Sequence, residues 1–153
     1  MAQNLVEIHV PESANHSFAV AAGANVKIGD FVSLTSDGAV EPVATGKKNS
    51  NKVIGMVYSG TVGVDGVNAG YDGNRGDVVT VIVNKPLVYA TVTSNGPVAA
   101  GDYLVTTSAK RVATYDPPTG DPDNPGGTDT PDMIIGRAIT SGGAGERIAI
   151  MLG

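Results

Sequence analysis

Nucleophilic catalysis needs a nucleophile, a base and an orienting group within mutual reach. The chain has only two histidines, His9 and His16, and both lie in its N-terminal segment. No GxSxG elbow accompanies them. Ser108-Ala109-Lys110 offers a serine and a lysine, but at an expected hairpin turn without apolar surroundings. His9 reads as the polar face of a strand and His16 as a loop residue. No base and nucleophile can be paired, so the expectation is a protein without enzymatic activity and without catalytic residues.

Asp121, Asp123, Asn124, Gly126 and Asp129 have the composition of a calcium loop, but its fifth position is Pro125, its twelfth is Asp132 and no flanking helices are expected. The segment reads as a solvated loop with no metal site. Asp72, Asn74 and Asp77 form a second acidic group, and Arg75-Gly76-Asp77 spells an adhesion tripeptide; the following VVTVIV makes Asp77 the polar residue that opens a strand. Gly46-Lys47-Lys48 lacks the hydroxyl residue and upstream glycine of a phosphate-cradling loop, which leaves Lys47, Lys48 and Lys52 as solvated lysines. Asn15-His16-Ser17 is a glycosylation sequon without a secretion signal. No tryptophan offers a sugar platform, and Tyr58, Tyr71, Tyr89, Tyr103 and Tyr115 read as scattered core and interface fillers. No cofactor is expected.

Composition bounds the partners. Ten Lys plus Arg against fifteen Asp plus Glu give a formal charge of -5, with no positive excess for a nucleic-acid backbone or an anionic membrane. The absence of cysteine excludes disulfides, thiolate zinc sites and iron–sulfur clusters. No run approaches the ~18 apolar residues of a membrane-spanning helix, and MAQNLVEIHVPES has neither the basic start nor the apolar stretch of a signal peptide, so synthesis in the cytoplasm is expected.

The elements that would carry any site are strands. The 21 glycines and 9 prolines punctuate the 153 residues so often that only residues 102–116 run beyond a dozen without either. That stretch is β-branched and reads as two strands joined at residues 108–110. Val6, Ile8 and Val10 alternate with polar residues, and Val26, Ile28, Val32 and Leu34 share one face of VKIGDFVSL. VVTVIV and PLVYATV read as adjacent antiparallel strands joined at Asn84-Lys85-Pro86.

The most informative feature is a duplication. VKIGDFVSLTSDGAVEP from Val26 aligns without a gap to VAAGDYLVTTSAKRVAT from Val98, at an offset of 72. KVIGMVYS then matches MIIGRAIT, and DVVTVIV matches ERIAIML. Gly29-Asp30 and Gly101-Asp102 read as turn-forming pairs, glycine supplying positive φ and aspartate bonding its own main chain. Residues 61–76 and 116–132 are insertions; the latter, rich in Pro, Gly and Asp, is expected to be an exposed, mobile loop. The expected fold is all-β: a small β-barrel or sandwich built from a duplicated three-strand element, with an extended N-terminal arm (1–17), long loops, and a single β domain (18–153) whose repeats span 26–83 and 98–152.

An N-terminal extended segment, a Gly-Asp turn and strand, a V-I-G strand and a late apolar strand together resemble the capsid decoration, or cement, proteins of tailed bacteriophages. MAQNLVEIHV, VKIGDFVSL, VIGMVYSG and VVTVIVN carry the resemblance, and VAAGDYLVTTSAKRVAT, IIGRAITSG and ERIAIML look like the same element again. The resemblance implies a structural role in the virion on the outer capsid surface, commonly as a homotrimer, with the major capsid protein as partner, and it carries over no catalytic residue. Leu5, Val6, Ile8 and Val10 are the contact candidates, in a strand that could add to a neighbouring protomer or to the shell before Pro11 ends it. A receptor- or glycan-binding module of a phage fibre, recognising through residues 61–76 and 116–132, is the alternative.

Overall fold

The offset of 72 becomes a spatial repeat in the computed structural model, which describes residues 7–9, 15–46, 52–60, 78–83 and 87–153. The chain is all-β, its described residues forming strands β1 (Glu7–His9), β2 (Asn15–Ala19), β3 (Phe31–Leu34), β4 (Val40–Pro42), β5 (Val53–Gly60), β6 (Val78–Ile82), β7 (Leu87–Val92), β8 (Tyr103–Thr106), β9 (Arg111–Thr114), β10 (Pro118–Asp121), β11 (Asn124–Gly126), β12 (Gly136–Ala138) and β13 (Arg147–Leu152). The single described helix is a 3-10 turn at Pro131–Met133, so no described helix is long and apolar enough to cross a membrane.

Strands β2-β6-β5-β3-β4 form one antiparallel sheet, and β7-β13-β12-β8-β9 repeat that order in the second. Each sheet closes on itself by a parallel pairing at the same place: Val20 with Val40 in the first, Val92 with Val112 in the second. Two small five-stranded barrels in tandem result, which leaves few open strand edges. The repeated unit is therefore larger than the three-strand element expected. Its first strand is not visible in the sequence because NHSFA and LVYAT coincide at no aligned position, although Ala19 pairs with Val78 just as Thr91 pairs with Arg147. Because β2 begins at Asn15, the first barrel starts inside the expected arm, and His16 is an exposed strand residue rather than a loop residue.

VVTVIV and PLVYATV, expected as adjacent antiparallel strands, belong to different barrels. They are not neighbours: β6 lies between β2 and β5, while β7 lies between β13 and the pair β1 and β9. A barrel closes only when its last strand bonds its own first strand, so both edges of β6 are occupied within the first barrel. The apolar character of the two runs reflects burial in different barrels, not pairing with each other.

Each barrel is filled by equivalent residues. Val20, Val26, Val32, Val40, Val57, Val79 and Val81 pack inside the first. At the matching positions of the second stand Val92, Val98, Leu104, Val112, Ala138, Ile148 and Ile150. Small β-branched side chains suit so narrow an interior. Ile28 is half buried and Leu34, expected on the same face, is exposed.

Residues 116–132 are ordered more than their composition suggests. They hold the β10–β11 hairpin, and Asp129 is buried, its Oδ2 accepting the Asp116 N–H at 2.9 Å while Asp116 Oδ1 accepts the Gly127 N–H at 3.1 Å. Side-chain bonds to nearby backbone replace the apolar burial that the segment lacks.

Candidate interaction surface

The Gly-Asp turns orient the strands that bear the surface. Gly29 and Gly101 take φ of 85° and 93°, in the left-handed region where glycine carries no Cβ penalty. Their N–H groups donate to Val57 (2.9 Å) and Ala138 (2.8 Å), and Asp30 and Asp102 each accept, through Oδ2, the N–H three residues earlier, from Lys27 and Ala99. Both aspartates are thus bonded within their own turns. The next residue of each turn, Phe31 or Tyr103, points out of its barrel, and here the repeats diverge.

In the first barrel Phe31, Met56 and Ile82 form an outward apolar face, at 0%, 1% and 0% exposure, packed into one continuous cluster with the core of the second barrel. The turn at residues 107–110, between β8 and β9, lies over this face. The Phe31 N–H donates to the Ala109 carbonyl at 2.7 Å, and the Gly46 N–H to that of Thr107 at 2.9 Å. Lys110 Nζ reaches Asp30 Oδ1 at 2.6 Å and the Ile28 carbonyl at 3.0 Å. Lys110 therefore joins the two barrels.

Asp30 is buried whereas the Lys110 side chain is half exposed, so removing the lysine strands a carboxylate in the interface. Lys110→Ala is expected to cost about 1–2 kcal/mol, less than the ~3–5 kcal/mol of a fully buried pair because the ammonium already meets water. Urea unfolding measures this, and an unchanged midpoint would remove Lys110 from the account of barrel docking.

The matching face of the second barrel is open. Tyr103, Arg137 and Met151 stand at the positions of Phe31, Met56 and Ile82, with Tyr103 48% and Met151 38% exposed. Arg137, paired across the strands with Tyr103, stacks its guanidinium 4.3 Å from the ring centroid. Arg147 does the same over Tyr89 on the same sheet face, also at 4.3 Å. Exposed stacks of this kind contribute about 0.5–1 kcal/mol each and hold the rings in place. Tyr, Arg and Met are the residue types that protein interfaces favour. On the outward positions of β7, β13, β12 and β8 stand two arginines and no acid, although the chain carries a charge of -5.

The tyrosines are scattered along the sequence. Tyr89 and Tyr103 share a face only because β13 and β12 bridge β7 to β8. The available signal was the replacement of Phe31 and Met56 by Tyr103 and Arg137 in the aligned repeat segments, amphipathic residues where the first copy has apolar ones.

Of the arm candidates, Leu5, Val6 and Val10 lie outside the described residues, and Ile8 is described in its backbone as part of β1. That strand pairs within the chain, Glu7 with Val88 and His9 with Leu87. It occupies the stretch of the β7 edge that β9, which pairs only at Thr91 and Val92, leaves open. The 61–76 insertion and the Asp72, Asn74, Asp77 group also lie outside the described residues.

An open groove of about 440 Å³ runs at one end of the second barrel, lined by Thr93, Asn95, Thr107, Thr114, Tyr115 and Asp116 among others. Among the described residues no three His, Cys, Asp or Glu side chains gather in a metal-binding arrangement. In the acidic hairpin, Asp121 Oδ1 accepts the Asp123 N–H at 2.9 Å and shapes the turn.

No protein-family model and no curated protein matches the chain. Among solved structures it is similar to the crystal structure of the head fiber gp8.5 N base in bacteriophage phi29, at 16% identity and a TM-score of 0.49, over 91% of this chain and 94% of that one.

Proposed function

We propose that the chain is a structural protein of a phage virion, a capsid decoration protein that binds the outer surface of the assembled head as a homo-oligomer, a trimer by the sequence resemblance, with the major capsid protein as its partner and no enzymatic activity. The observation that carries this reading is the contrast between the turns and the open face. The polar side chains of the Gly-Asp turns are bonded to their own main chain, while the exposed chemistry is gathered as Tyr–Arg stacks and a methionine on one rigid sheet. That arrangement suits adhesion to a protein surface rather than turnover of a small molecule.

A decoration protein acts by mass action, stabilising the expanded shell because it binds that form better than the unexpanded or broken one. An oligomer touching several shell subunits multiplies modest contacts into avidity, since later contacts form at high effective concentration. Cosedimentation with undecorated expanded capsids, read by electron microscopy, is expected to show the protein at regular lattice positions. Failure to bind any expanded capsid of the cognate phage would end the reading.

Deleting residues 2–10 removes β1 and uncovers the start of the β7 edge. The expected result is loss of capsid binding or of oligomerisation, checked by cosedimentation and by sedimentation equilibrium. A truncated chain that assembles and decorates normally would reduce the arm to an ordinary strand. The groove beside Tyr115 favours a second reading, a glycan-binding fibre module, because hydroxyl, amide and carboxylate groups around one tyrosine match the polar groups of a sugar. Replacing Tyr115 and Asn95 should leave decoration intact if the first reading is right and abolish host-cell binding if the second is.

A further inference from the structure

The two barrels meet through unlike surfaces. The first contributes its outward face around Phe31, Met56 and Ile82, and the second contributes the turn at residues 107–110. Because the barrels are repeats, each possesses both surfaces, and the internal contact uses one from each. The unused pair consists of the Tyr103, Arg137 and Met151 face of the second barrel and the turn at residues 35–38 of the first, where Ser36, Asp37 and Gly38 are exposed.

We infer that a second copy of the chain joins head to tail by repeating the internal contact, its 35–38 turn seated on the Tyr103–Arg137–Met151 face. The charges support this occupant. Inside the chain the turn carries the base, Lys110, and the face carries the acid, Asp30, at 2.6 Å. Between copies the charges differ on both sides: Asp37 stands at the place of Ala109 and Gly38 at that of Lys110, while Arg137 stands at the place of Met56. The turn now carries an acid, and the face adds a base, Arg137, to the Asp102 it keeps. Asp102 needs no lysine there, because its Oδ2 also accepts the Thr114 hydroxyl at 3.0 Å. A carboxylate arriving beside Arg137 meets a guanidinium already fixed on Tyr103, which lowers the entropy lost on binding.

Unlike surfaces make a heterologous contact, which closes into a ring when its rotation permits and otherwise runs on as a filament. A ring of three uses the contact three times. The inference concerns the free chain in solution and does not rest on capsid binding, so its failure and that of the decoration reading are separately visible.

Sedimentation equilibrium of the purified full chain tests it, with Asp37→Arg, Arg137→Asp, the double variant that exchanges the two charges, and Tyr103→Ser. Wild type is expected to associate, each single variant to weaken association about tenfold or more, and the double variant to regain it. Circular dichroism and urea midpoints equal to wild type establish that the exposed substitutions leave the barrels folded; should Asp37→Arg fail this check, Tyr103→Ser and Arg137→Asp read the face alone. A monomeric wild type, face variants that associate as wild type does, or folded single variants whose loss the double variant does not repair would overturn the inference.

Discussion

Gly55→Val is expected to destabilise the protein by ~3 kcal/mol or more, at the upper end of what overpacking costs. The position is not one of unusual backbone conformation. A Cβ built on Gly55 would fall on the Ile82 carbonyl oxygen and come within 2.8 Å of its carbon, because β6 crosses β5 there at close approach. Backbone atoms engaged in a barrel ladder cannot move aside as a side-chain tip can. Gly136, the matching glycine of the second barrel, meets the Met151 carbonyl in the same way, with Leu152 Cα at 3.1 Å. The glycine of each V-I-G or I-I-G strand is therefore fixed by strand contact. Urea unfolding of Gly55→Val and of Gly136→Val measures the effect, and near wild-type stability in either would mean that the barrels are looser than this contact requires.

Phe31→Ala is expected to cost about 3–5 kcal/mol, and the matching change Tyr103→Ala less than about 1 kcal/mol. Phe31 is wholly buried between the barrels, so truncation opens a cavity and removes part of the docking face. Tyr103 loses one arginine stack and little burial. Two residues that the repeat places at the same point thus differ severalfold in their effect on folding. Chemical denaturation reads the difference at protein concentrations low enough to keep the chain monomeric. Equal costs would show that the second barrel's face is already covered in the monomer.

The duplication, the turn between β8 and β9 and the inward valines were legible because each follows from a local rule: a shared offset, a period of two, a Gly or Asp at a bend. The pairing partners of β6 and β7 were not, since an apolar run announces burial without saying against what. The open face was concealed for a related reason. Gly-Asp-Phe and Gly-Asp-Tyr look alike along the chain, and only the docking of one barrel on the other separates a core phenylalanine from a displayed tyrosine. The β10–β11 hairpin escaped the composition argument because buried Asp129 and the bonds of Asp116 stabilise it where apolar area does not.

In each barrel the first strand lies beside the last, Asn15 opposite Ile82 and Leu87 opposite Met151. The points where the chain begins and completes a barrel are therefore adjacent. Copying one such unit in tandem breaks no ladder and needs no rethreading, which is how a gene duplication can double this architecture in a single event.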